Sequence, residues 1–175
     1  MQYGQKYVDH SYITHISEFK KRGVPVAVYA WVRGKNMSQM ISEATYFYNR
    51  VAKYNPDFWW LDVEEPGLMS NDYRSVRDGI EVYRQTLKQL GAGKVGLYIA
   101  NHMFSNYNID ITKFDGVWIP TYGGNNGRYE GYNPTSTNNY DLHQYTSNGR
   151  LPGYDYGLDI SRLIRRDFNY FFNEG

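Results

Sequence analysis

Phe58-Trp59-Trp60-Leu61-Asp62-Val63-Glu64-Glu65 is the stretch that decides how this chain is read. An aromatic, apolar run ends abruptly in carboxylates. Its length and aromatic content predict a buried strand. Residues two apart in a strand point to the same face, so Asp62 and Glu64 project together while Val63 points away. Two acids held side by side beneath aromatic rings suit acid catalysis, with one ionised and the other pushed towards its protonated form. The alternative is a strand end whose acids simply meet solvent.

On the N-terminal side, Val24 to Val32 is a β-rich apolar run, a strand with Pro25 at its start. Between the two strands, Met37, Met40, Ile41, Ala44, Phe47, Tyr48 and Val51 form one apolar helix face, with Ser38 as the expected cap. Asn55-Pro56 ends that helix. Further back, Tyr12, Ile13, Ile16 and Phe19 recur at helical spacing up to Gly23. Met1 to Asp9 has no clear period.

On the C-terminal side, Pro66 and Gly67 break the chain. A helix from about Asn71 to Leu90 follows, with Tyr73, Val76, Ile80, Tyr83, Leu87 and Leu90 on one face and Gly91 at its exit. Val95 to Ile99 and Gly116 to Pro120 predict strands, with a short irregular helical piece between them. Tyr122 to Tyr140 reads as a long surface loop, a common place for function. Asp141 to Tyr145 alternates like a strand, Gly149 to Gly157 reads as a turn-rich link, and Gly157 to Ser161 as a last strand. Leu163 to Phe172 is an aromatic-basic close.

Six strands alternating with helices predict an α/β protein with a parallel sheet, open or closed. In either form, chemistry gathers at the C-terminal ends of strands. Three strands carry candidate residues there: Asp62 with Glu64, Tyr98, and Asp159. No Gly-rich phosphate loop follows a strand, which discounts nucleotide binding.

Composition narrows the classes further. The 175 residues suit one domain. A net charge of +1 gives no electrostatic case for nucleic acid or an acidic membrane. No stretch is long and apolar enough to insert in a bilayer, and no signal-peptide pattern opens the chain. With no cysteine there is neither thiolate chemistry nor a cysteine metal site. No histidine pair or calcium-loop spacing accompanies the acids, so neither a metal nor another cofactor is expected. The 19 Tyr, 8 Phe and 4 Trp supply flat apolar faces with polar tips, the surface a sugar needs.

Seven stretches, in order, resemble lysozymes of glycoside hydrolase family 25, the Chalaropsis-type muramidases. They are Tyr7-Val8-Asp9 with the helix to Gly23, Val26 to Trp31, Leu61-Asp62-Val63-Glu64, Gly96-Leu97-Tyr98, Val117 to Tyr122, His143 to Gly149, and Gly157 to Ser161. The resemblance implies a TIM-like (β/α) barrel, one catalytic domain over residues 1–175. It implies a bacteriolytic peptidoglycan hydrolase that cuts the β-1,4 bond between N-acetylmuramic acid and N-acetylglucosamine at the bacterial wall. Glu64 is then the general acid with a raised pKa, Asp62 its ionised neighbour, and Asp159 a third acid. Tyr29, Trp31, Tyr98, Trp118, Tyr122 and Gln144 line the sugar cleft, and His143 points away from it. For Asp159 the alternative is a cap near Ser161, and for Tyr29 and Trp118 it is core packing. Same-face neighbours lie about 7 Å apart, which does not choose between retaining and inverting geometries. The resemblance favours substrate-assisted retention.

The family opens with a strand bearing Asp-Val-Ser, a helix and a second strand, which have no counterpart here. At about 30 residues per strand-helix unit, roughly 40 residues and two of eight strands are expected to be absent. The barrel is therefore expected to be incomplete, with exposed edges that favour self-association or completion by another segment. A non-catalytic wall-binding or assembly protein derived from a muramidase is the alternative function. Secretion or release through a phage holin is the expected route to the wall.

Overall fold

The computed structural model describes residues 2–4, 7–64 and 73–172. Among the described residues, eight strands form one open, curled sheet in the order β2-β1-β3-β4-β5-β6-β7-β8. Its long strands are β3 (Ala27–Trp31), β4 (Phe58–Val63), β5 (Val95–Ile99), β6 (Val117–Pro120), β7 (Leu142–Leu151) and β8 (Tyr154–Leu163). These are the six expected strands. Two-residue strands β1 (Gln2–Tyr3) and β2 (Tyr7–Val8) add to the β3 side, within the segment that has no sequence period. β3 to β7 run parallel, as does β1 beside β3. The architecture is an incomplete α/β barrel.

Alternation along β4 divides the molecule into two cores. Trp59, Leu61 and Val63 face outwards, into a cluster with α2 (Met37–Val51) and α3 (Tyr73–Leu90). Met40, Ala44, Phe47 and Val51 of α2 and Val76, Ile80, Tyr83 and Leu87 of α3 cover that face. The buried Val, Leu, Ile, Phe and Met side chains among them each contribute about 1.5–3 kcal/mol. Phe58 and Trp60 face inwards and stack at 4.5 Å between ring centres. Phe171 of the short closing helix α5 (Phe168–Phe171) plugs this concave side, 5.4 Å from Phe58. Gly96 is required by the same packing. A Cβ there would lie 2.4 Å from a ring carbon of Trp60. Above this inner cluster, at the C-terminal ends of the strands, Asp62 continues the same face.

Several expectations are corrected. Asn36, not Ser38, caps α2, its side chain accepting from the Gln39 N–H. Asn36 meets the extended backbone that a cap requires. Met37 and Ile41 are exposed, so the apolar face of α2 is narrower than its pattern implied. The stretch from Gly149 to Gly157 is not a link. It continues β7 and β8, two ten-residue strands that form an antiparallel hairpin with register shifts, because Pro152-Gly153 forms the turn. The sheet is therefore parallel from β1 across to β7, with β2 and β8 antiparallel at its two edges. The short helical piece resolves into α4 (Asn101–Tyr107) and a 3-10 turn (Ile111–Lys113). The Pro66-Gly67 break and the start of the helix at Asn71 lie outside the described residues.

Candidate active site

Register across the parallel strands assembles the site. Trp31 of β3, Asp62 of β4, Tyr98 of β5 and Trp118 of β6 occupy one rank of paired positions. Paired positions share a face, and this rank lies one step above Trp60. Gln144 enters from β7, which pairs with β6 at Pro120. Asp159 comes from β8, in mid-strand. Because β8 runs antiparallel, it reaches this rim without ending there, unlike the strand end expected from sequence.

A cavity of about 70 Å³ results. Asp62, Glu64 and Asp159 are its acids, and Tyr29, Tyr98, Trp118 and Gln144 are its walls. The enclosed volume is below the 300–1,000 Å³ usual for ligand pockets. It suits a substituent of a larger molecule whose body lies in open cleft. Tyr29 also borders a second hollow of about 200 Å³ that includes Asp9, Tyr12 and His15. Trp118 packs edge-on against both Tyr98, at 4.8 Å, and Trp60, at 5.4 Å. Its ring belongs to the pocket wall and the inner core at once.

Two predicted cleft residues are arranged differently. Trp31 shares the rank of Asp62 but is not part of the pocket wall, and the Arg33 guanidinium lies 5.6 Å from its ring centre. Tyr122 stands behind the wall. Its hydroxyl accepts from Gln144 Nε2 at 2.6 Å. His143 is fully buried. Its Nε2 bonds the Thr121 carbonyl at 2.8 Å, and its Nδ1 accepts from Arg162 at 3.1 Å. Burial lowers its pKa, and the neighbouring Arg162 acts in the same direction.

The electrostatics correct one expectation. Asp62 is only 6% exposed, whereas Glu64 is exposed just beyond the strand end. Burial raises the Asp62 pKa from 3.8 to about 9, and the charge of Glu64, a hydrogen bond to it and the charge of Asp159 add to the rise. Asp62 was expected to stay ionised, yet it is the group held towards its protonated form. A buried carboxylate loses hydration that its neighbour at the rim keeps. The two acids form a coupled dyad. Burial also raises Asp159. Tyr29 is pushed up to about 12 by burial and then by the surrounding carboxylates, Asp9 among them. Tyr98 is pushed higher still for the same reasons. Sequence reasoning gave Asp9 no part in the site, although it closes the Tyr7-Val8-Asp9 stretch. Among the described residues no group of acids and histidines is arranged to hold a metal ion, and no helix is long and apolar enough to cross a membrane.

The family model for glycosyl hydrolases family 25 matches residues 2–154. The chain belongs to this family. It is a glycoside hydrolase. Asp159 lies beyond the matched span, so its membership of the site rests on geometry. A glycosyl hydrolase 25 of Streptococcus pneumoniae, described as a virulence factor participating in host cell invasion, is 38% identical with a TM-score of 0.87. The alignment covers 97% of this chain and 78% of that one. The catalytic domain of endolysin ply40, from bacteriophage P40 of Listeria monocytogenes, is 26% identical with a TM-score of 0.84, over 97% and 81% of the two chains. The modular autolysin LytC of Streptococcus pneumoniae, solved with a synthetic peptidoglycan ligand, shares the fold at 19% identity and a TM-score of 0.70, over 91% and 38%. A search of curated proteins finds no match.

Proposed function

We propose that this family-25 hydrolase is a muramidase. It cleaves the β-1,4 bond between N-acetylmuramic acid and N-acetylglucosamine in peptidoglycan, acting at the bacterial wall. The observation that carries the reading is the convergence of Asp62, Glu64 and Asp159 on one aromatic-walled pocket. The likeness to an endolysin catalytic domain supports a wall glycan as substrate.

In this reading Glu64 is the general acid, and the dyad holds the proton it needs. Asp62 binds that proton in the free enzyme. Oδ1 of Asp62 is buried and has no hydrogen-bond partner among the described residues. It offers an acceptor for the N–H of a bound acetamido group. Such a bond favours ionised Asp62, and the proton passes to Glu64. Glu64 then protonates the glycosidic oxygen as the bond to C1 breaks. The acetamido oxygen closes on C1 to give a cyclic oxazolinium ion, which ionised Asp62 stabilises. Glu64, now a base, takes a proton from the water that opens the ring, and the anomeric configuration is retained. Asp159 adds negative charge near the developing cation. Tyr29, Tyr98, Trp118 and Gln144 bind the sugar, with Tyr122 supporting Gln144 and Trp31 flanking the rank.

The test is reducing-sugar release from purified peptidoglycan by the 175-residue chain beside Glu64→Gln. Loss of a proton donor should lower the rate by about 10²–10⁴-fold. Equal rates in the two proteins would remove Glu64 from the mechanism. Binding without cleavage in either folded protein would favour a carbohydrate-binding role.

A further inference from the structure

His143 and Arg162 occupy paired positions across the β7–β8 hairpin. Their contact allows one arrangement of protons. His143 Nε2 lies 2.8 Å from the Thr121 carbonyl oxygen, which can only accept. Arg162 Nε lies 3.1 Å from His143 Nδ1, and a guanidinium can only donate. The imidazole is therefore neutral, with its proton on Nε2 and a lone pair on Nδ1. The residue is fully buried. The rings of Tyr129, Tyr140 and Tyr145 stand edge-on to it, at 5.9, 6.4 and 6.4 Å between ring centres.

Arg162, held in this way, grips the long loop. Its guanidinium carbon lies 3.8 Å from the Tyr129 ring centre, and its Nη2 donates to Asn133 Oδ1. The Tyr129 hydroxyl donates to the same oxygen at 3.0 Å. Both ends of this part of the loop are tied elsewhere. Before it, Asn125 Oδ1 accepts from Thr146 Oγ1 at 2.8 Å, and the Gly127 N–H donates to that hydroxyl at 3.2 Å. After it, Asn101 Oδ1 accepts from the N–H groups of Thr135 and Ser136 at 3.0 and 3.1 Å. Residues 128–134 thus form a strap between two fixed points, with Arg162 against its middle.

A second proton on His143 would set an N–H and a positive charge against the Arg162 N–H. Two cations in contact at a buried site repel strongly. The ring has no path to water, whereas Arg162 is only half-buried and can swing outwards. We propose that His143 is an acid-sensitive clasp, whose protonation expels Arg162 and releases the strap of residues 128–134 while the sheet stays folded. The titratable groups facing the ring are Arg162 from β8, Tyr129 and Tyr140 from the loop, and Tyr145 from β7, and Arg162 is the charged one among them. Burial and Arg162 lower the folded pKa of His143 below its ordinary value of 6.5. The clasp is therefore at full strength above that value and weakens as pH falls below it. It does not depend on the muramidase reading.

Nitrogen-15 NMR of the four histidines in the intact chain reads the trigger. His143 should be the neutral Nε2–H tautomer at neutral pH. Amide hydrogen exchange, corrected for the intrinsic effect of pH, reads the strap. Opening of residues 128–134 should increase about tenfold for each pH unit below about 6.5, one proton being taken up. Amides of β4 and β5 should keep their protection, the mark of a local opening. Arg162→Met keeps an apolar stem and removes the donor. Its strap should exchange rapidly at every pH, and its His143 should titrate at higher pH than in wild type. An Nδ1–H tautomer or a charged ring at neutral pH would overturn the proposal. So would a strap equally protected at acid pH, or one that follows pH in Arg162→Met as it does in wild type. Loss of protection in β4 and β5 together with the strap would also overturn it, leaving His143 as a general element of stability. Tautomer and exchange are read on the wild type, so the test stands even where Arg162→Met does not fold.

Discussion

At the scale of single residues, Asp62 sets function against stability. Its pKa rises from 3.8 to about 9 on folding, so the native state binds a proton that the unfolded state releases between those values. The stabilising effect of that proton is fully present below about pH 4 and is lost as pH rises towards 9. Asp62→Asn keeps the shape and removes the titration. The variant should unfold about 0.5–2 kcal/mol later than wild type at pH 7, within the range seen when a functional site is relaxed. The gain should vanish below pH 4. Denaturant titrations across pH measure this, and a pH-independent difference would contradict it. The same variant should lose peptidoglycan cleavage, because an amide cannot pass a proton to Glu64.

At the scale of elements, β4 and β5 meet through a glycine. Gly96 leaves room for the Trp60 and Phe58 rings, whose atoms would lie 2.4 to 2.7 Å from a Cβ at that position. Those rings belong to buried core, held on the far side by Phe171. Gly96→Ala should cost about 1–3 kcal/mol through overpacking, read as a lower thermal midpoint. It should also disturb catalysis, because Asp62 and Tyr98 lie two residues beyond Trp60 and Gly96 on their strands. A neutral Gly96→Ala would mean that the inner cluster yields without loss. The β7–β8 hairpin is the other decisive element. Its reversal of direction is what carries Asp159 to the rim beside residues from parallel strands.

At the scale of the whole molecule, the sheet is open between β2 and β8 among the described residues. β8 presents a ten-residue edge, with Tyr156 73% exposed. Such edges pair with other chains unless they are blunted. The chain should therefore self-associate as concentration rises, measured as a weight-average mass above the monomer in light scattering. A strictly monomeric chain up to high concentration would show that the register shifts and charges along the hairpin protect the edge.

Much of this was legible in the order of residues. Period two along Phe58 to Glu64 separated the outward Val63 from the inward acids, and period 3.6 marked α2 and α3, because burial on one side leaves a repeating trace. The six long strands and the pairing of Asp62 with Glu64 on one face followed from such local patterns, and the motif order pointed to the family. Which acid is buried did not follow. Asp62 and Glu64 are equivalent in strand alternation, and only the depth of the curled sheet distinguishes core from rim. Nor could spacing show that Asp159 arrives on a reversed strand, that Tyr122 supports Gln144 from behind, or that Asn125 reaches Ser147 across 22 residues of chain. Those relations join segments without periodicity, so they exist only once the sheet has curled and brought them together.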